Sequence, residues 1–120
     1  MYLCLMYSRE LLKGTLKPII LKLLSDNGRM YGYEITQRVR ELSNDQIQLT
    51  EGALYPMLHK MEAEGLLKTE KENAGGRIRK YYRLTATGSR SSESLLTEFS
   101  QFIQTMQLIL KPNLQDNGIE

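Results

Sequence analysis

At 120 residues, 41% apolar and 25% charged, the chain supports one compact domain with at most one protruding element, and its composition excludes wholesale disorder. The single cysteine, Cys4, allows no internal disulfide, no secretory leader is recognisable, and no run reaches the ~20 apolar residues of a membrane span. A net charge of +2 hides an uneven distribution: Lys68, Lys71, Arg77, Arg79, Lys80 and Arg83 face only Glu70 and Glu72 within one short segment, so the rest of the chain sums to −2.

Met1 to Tyr7 is apolar but lacks a basic flank and a cleavage site, and residues 1–10 are read as a tail in which Met6 could equally be the start. Leu11/Leu12, Thr15/Leu16, Ile19/Ile20 and Leu23/Leu24 recur every four residues and predict a first helix. Thr15 as its N-cap would put Pro18 in the first turn, where a missing N–H costs nothing, and Ser25-Asp26-Asn27-Gly28 would end it. A second helix is predicted from Tyr31 to Leu42, with Tyr31, Ile35, Val39 and Leu42 on one side, broken by Ser43-Asn44-Asp45.

Thr50 is the N-cap expected for a third helix, with Glu51 in the favourable first turn. Leu54, Met57, Leu58 and Met61 form its inward face, and Gly65 closes it. A hairpin follows, with Leu66 to Lys71 as one arm, Asn73-Ala74-Gly75-Gly76 as the turn and Arg77 to Leu84 as the other arm. Ile78, Lys80, Tyr82 and Leu84 point one way along it, and Arg77, Arg79, Tyr81 and Arg83 the other. Thr85 caps a long last helix in which Leu95, Phe99, Phe102, Met106 and Ile109 form a heptad seam, widened by Leu96, Ile103 and Leu110 and stopped by Pro112.

This order of elements is mainly α with a small β-hairpin wing: a winged helix-turn-helix over residues 11–85, a dimerisation helix over 86–111 and a flexible tail over 112–120. In such a domain the third helix enters a major groove of double-stranded DNA. Its outer face here carries Gly52, Ala53, Tyr55, Pro56, His59 and Lys60. Gly52 and Ala53 permit close approach, Tyr55 and His59 offer hydrogen bonds, and Lys60 supplies charge. A local bend is expected at Pro56. The wing adds Arg77, Arg79 and Lys80 beside a Gly75-Gly76 tip suited to the backbone or the minor groove. The seam of the last helix either packs back on the domain or pairs with a partner, and a symmetric homodimer is the commonest solution.

The stretches Leu12-Lys13-Gly14-Thr15-Leu16, Tyr31-Gly32-Tyr33-Glu34-Ile35, Glu51-Gly52-Ala53-Leu54-Tyr55-Pro56-Met57-Leu58, His59-Lys60-Met61-Glu62, Glu64-Gly65-Leu66 and Gly76-Arg77-Ile78-Arg79-Lys80-Tyr81-Tyr82-Arg83-Leu84-Thr85 resemble the PadR-like transcriptional regulators, in their branch with a single C-terminal helix. The resemblance implies a cytoplasmic bacterial homodimer, usually a repressor, that binds a palindromic operator through the third helix and wing. It implies roles on DNA for Tyr33, Thr50, Gly52, Tyr55, Pro56, His59, Lys60, Gly76, Arg77, Arg79 and Lys80. It also implies dimerisation through Leu95, Leu96, Phe99, Phe102, Ile103, Met106 and Ile109. Some relatives bind flat aromatic compounds against a tryptophan of the last helix. This chain has no tryptophan, and Phe99, with Phe102, stands as the candidate wall of such a small-molecule pocket.

An enzyme is disfavoured. There is one histidine, no Gly-rich phosphate loop and no cluster with metal-ligand spacing; His59 and Glu62, three apart on a helix, lack a third ligand. The alternative from another class is a winged helix serving protein–protein contact alone, a use that ordinarily dispenses with the basic wing this chain keeps.

Overall fold

The computed structural model describes residues 7–111, ordered as α1 (Arg9–Lys13), α2 (Leu16–Asn27), β1 (Arg29–Tyr31), α3 (Gly32–Leu42), α4 (Glu51–Ala63), β2 (Leu67–Ala74), β3 (Arg77–Leu84) and α5 (Ala86–Leu110). It is a winged helix-turn-helix whose three-stranded antiparallel sheet has the order β1-β3-β2, followed by a long C-terminal helix.

The expected tail ends earlier than its predicted boundary. Ser8 caps α1, its hydroxyl accepting from the Leu11 amide at 3.2 Å, so Arg9 and Glu10 are already helical. The apolar stripe is also interrupted. The Thr15 hydroxyl donates to the Leu12 carbonyl instead of capping α2, and the chain bends at Gly14, leaving Leu11 exposed and outside the α2 stripe. Pro18 does lie in the first turn of α2, which extends through Asn27 to Gly28 at φ +85°.

The core is continuous from α2 (Ile20, Leu21, Leu24) through α3 (Ile35, Val39) and α4 (Leu54, Leu58, Met61) to the sheet (Met30, Leu67, Tyr82). Met57, expected inside, is half-buried at its edge. Tyr31 does not join the inward face of α3. It ends β1, a strand too short for its own alternation to be legible, and its amide donates to the Glu34 carboxylate at 3.0 Å. The hairpin turn is tighter than predicted. Gly75 and Gly76, at φ +61° and +83°, suffice for a two-residue turn, and Asn73 and Ala74 remain in β2.

Thr85 caps α5 by accepting from the Gly88 amide at 2.9 Å, and it ties that end to the α4–β2 junction by donating to the Gly65 carbonyl at 2.6 Å. Gly88 lies so close to the Leu66 carbonyl that no side chain fits between them. The 25 residues of α5 span about 37 Å, and its first half packs against α2. Pro112, the expected stop, lies outside the described residues, as does the tail beyond it.

Candidate nucleic-acid interface

The helix α4 owes its start to Thr50, whose Oγ1 accepts from the Ala53 amide at 3.2 Å. The preceding turn is set by Ser43, which accepts from the Ile47 amide at 3.0 Å, and by Asn44 and Asp45 in the left-handed region at φ 54° and 65°. With Leu54, Leu58 and Met61 fully buried, the opposite face carries Glu51, Gly52, Ala53, Pro56, His59 and Lys60, all exposed. The helix runs through Pro56 without interruption. Tyr33, 60% exposed, stands on the first turn of α3.

Tyr55 differs from its predicted neighbours. It is half-buried, with its ring against Gly32 at the start of α3, so it joins the two helices of the helix-turn-helix as well as bordering the outer face. Its ring centroid lies 6.5 Å from that of His59. The Tyr82 hydroxyl is pushed above its ordinary pKa by burial, with Tyr55 and Glu62 as lesser contributors.

Register divides the wing into two faces. One holds Arg29, Tyr31, Lys68, Glu70, Glu72, Arg77, Arg79, Tyr81 and Arg83; the other holds Met30, Leu67, Thr69, Lys71, Asn73, Ile78, Lys80, Tyr82 and Leu84. On the first face Arg29 reaches Glu70 and Glu72, both at 2.9 Å, and Arg83 reaches the other oxygen of Glu70 at 2.9 Å. The Arg83 hydrogen bond, followed by that of Arg29, holds the Glu70 carboxyl below the usual glutamate range. Arg79 lies over the Tyr31 ring at 4.4 Å, Arg29 over Tyr81 at 4.1 Å, and the two tyrosines meet edge to face at 5.4 Å.

This ladder was not visible in the sequence, because Arg29 and Tyr31 belong to the unpredicted strand. It also changes the charge reading. Glu70 and Glu72 neutralise Arg29 and Arg83, which leaves Lys68, Lys71, Arg77, Arg79 and Lys80 as the hairpin cations without an ion pair among the described residues. Ile78 is 73% exposed rather than inward like Tyr82, since by that point the hairpin has left the core. Gly76 and Arg77 are exposed at the turn, and Lys80 is half-buried.

The seam of α5 divides likewise. Leu95, Leu96 and Phe99 are half-buried on their own domain, whereas Phe102 (55%), Ile103 (43%) and Ile109 (64%) are exposed and Met106 is half-buried. Phe99 also lines an apolar groove of about 300 Å³ between α2, α3 and α5, together with Ile19, Leu23, Leu42 and Leu96. Phe102 does not line it; its ring stacks on Phe99 at 6.5 Å. Among the described residues no three metal-ligating side chains converge, and no helix is long and apolar enough to cross a membrane.

Comparison with known proteins places these features in a family. The model of the transcriptional regulator PadR-like family matches residues 20–94. The chain is similar to transcriptional regulator Rv3488 of Mycobacterium tuberculosis, with 39% identity over 67% of this chain and 71% of that protein. Among solved structures, a transcriptional regulator from Clostridium thermocellum superposes with a TM-score of 0.77 at 27% identity, over 88% of this chain and 99% of the other. A PadR family transcription regulator from Clostridium difficile R20291 gives 0.69 at 34% identity, over 81% and 99%.

Proposed function

This chain belongs to the PadR-like family of transcriptional regulators, and from that premise we propose that it is a sequence-specific DNA-binding repressor acting as a homodimer on an inverted-repeat operator. One observation carries the reading: the exposed face of α4 and the tip cations of the wing belong to adjoining elements of one rigid core, with α4 packed against β2. Thr50, Gly52, Pro56, His59 and Lys60 then meet the major groove with Tyr33 and Tyr55 at its margin. Gly76, Arg77, Arg79 and Lys80 meet the adjacent backbone.

The unburied distal half of α5 supports pairing with a second copy. Phe102, Ile103 and Ile109 form an apolar stripe that the domain leaves in water, and a two-fold dimer would cover it while matching a two-fold operator. Acting on chromosomal DNA, the protein works in the cytoplasm. The groove beside Phe99 favours release by a small flat aromatic effector, because its lining is apolar and aromatic.

The test is a gel-shift titration with the region upstream of the chain's own gene against a scrambled duplex of equal length. A two-fold-symmetric footprint and at least a thousandfold preference, on the order of what specific regulators achieve, is expected. Equal affinity for the scrambled duplex refutes sequence-specific regulation.

A further inference from the structure

On one face of the wing the cations around Glu70 and Tyr31 are compensated, although Lys68 and Arg77 on that face form no ion pair among the described residues. Arg29 and Arg83 are held by Glu70 and Glu72, and Arg79 is stacked on Tyr31. On the other face Lys71 stands directly opposite Lys80 in the β2–β3 register. Neither forms an ion pair among the described residues, and Lys80 has only the Tyr82 ring, 5.5 Å from its Nζ. The next cross-strand pair toward the tip on this face is Asn73 with Ile78, so the face carries no anion between the core and the Gly75–Gly76 turn.

Same-sign side chains directly opposite each other destabilise a sheet, since their Cβ atoms lie only about 5 Å apart. On the opposite face Arg29 and Arg83 also stand directly across from each other, and there Glu70 and Glu72, on their own face, compensate them. The Lys71–Lys80 pair, with no anion on its own face, is open to solvent and to an anionic ligand. The pair shares its face with Tyr82, which is buried in the core, so it projects on the side of the sheet that faces the core and α4.

We propose that Lys71 and Lys80 form a two-lysine clamp for a phosphodiester group of the DNA backbone flanking the groove read by α4. This rests on the DNA-binding reading above and extends it to Lys71, a residue in no motif.

The experiment uses the full chain, a short random-sequence B-DNA duplex and fluorescence anisotropy over a series of salt concentrations. Each neutralised phosphate contributes about 0.9 to the slope of log affinity against log salt. The double variant Lys71→Gln/Lys80→Gln should reduce the slope by about 0.9, the equivalent of one phosphate, and each single variant by less. The double arginine variant should keep the wild-type slope. The thermal midpoint of the DNA-free double glutamine variant should hold or rise, because a same-sign pair has been removed. A wild-type slope in the double glutamine variant, or a lowered midpoint accounting for its weaker binding, overturns the clamp alone. Failure of the wild-type chain to bind any duplex at low salt overturns the DNA-binding reading and the clamp with it.

Discussion

The ring of Tyr55 occupies the space that a side chain on Gly32 would need: a Cβ built there falls 2.6 Å from Tyr55 Cζ. One contact thus joins the first residue of α3 to the middle of α4 and sets how far the outer face of α4 stands from the rest of the domain.

Gly32→Ala should destabilise the domain by about 1–3 kcal/mol through overpacking, read as a thermal midpoint lowered by several degrees. Tyr55→Leu should recover part of that loss in the double variant, because the two changes share one space. Strict additivity would show that the contact does not set the helix spacing.

The junction at Thr85 makes a second prediction. Thr85→Ala removes both the α5 cap and the hydrogen bond to the Gly65 carbonyl, and should cost about 1–2 kcal/mol. Gly88→Ala should be worse, because its methyl would meet the Leu66 backbone and not a side chain that could turn away. Chemical denaturation of both variants ranks them, and the reverse order would contradict the geometry.

In acid, below the ordinary glutamate range, the wing should loosen before the helices do. A glutamate whose folded pKa is depressed contributes stability in full above its unfolded value, about 4.3, and loses that contribution as pH falls through the lower folded value. Glu70 is such a group. Hydrogen exchange of the β1 and β3 amides should accelerate relative to the amides of α2 as pH falls below about 4.3. Glu70→Gln should exchange faster already at neutral pH, with a flatter pH dependence. An unchanged acid profile in that variant would assign the effect to another carboxylate.

If the distal stripe of α5 is the dimer contact, Phe102→Glu and Ile109→Glu should each yield monomers by sedimentation equilibrium while helix content is kept. Leu108→Glu, exposed on the same half but outside the seam, should leave the dimer intact. Unchanged mass in the first two variants would remove α5 from the interface.

Much of the architecture was legible because it rests on local rules. Thr50 and Thr85 each cap the helix that their sequence context predicts, and Leu54, Leu58 and Met61 are buried at helical spacing. Less was legible in the candidate site. Glu70 could be seen as an anion beside a basic strand, but not as the partner of Arg29, forty-one positions earlier. Ile78 obeys the strand alternation and is exposed all the same, because alternation assigns a face without saying where the core ends.

By itself, then, the chain determined the helices capped by Thr50 and Thr85, a hairpin turn at its glycines and a concentration of positive charge in one hairpin, since each depends on neighbours within a few residues. Only the tertiary structure decided which charges remain available for a ligand. Pairing β1 against β3 brings Arg29 to Glu70 and Glu72, setting Tyr31 under Arg79, and the β2–β3 register leaves Lys71 facing Lys80. The division of α5 was settled in the same way. Its seam is one continuous pattern in sequence, but α2 is long enough to cover only the first half.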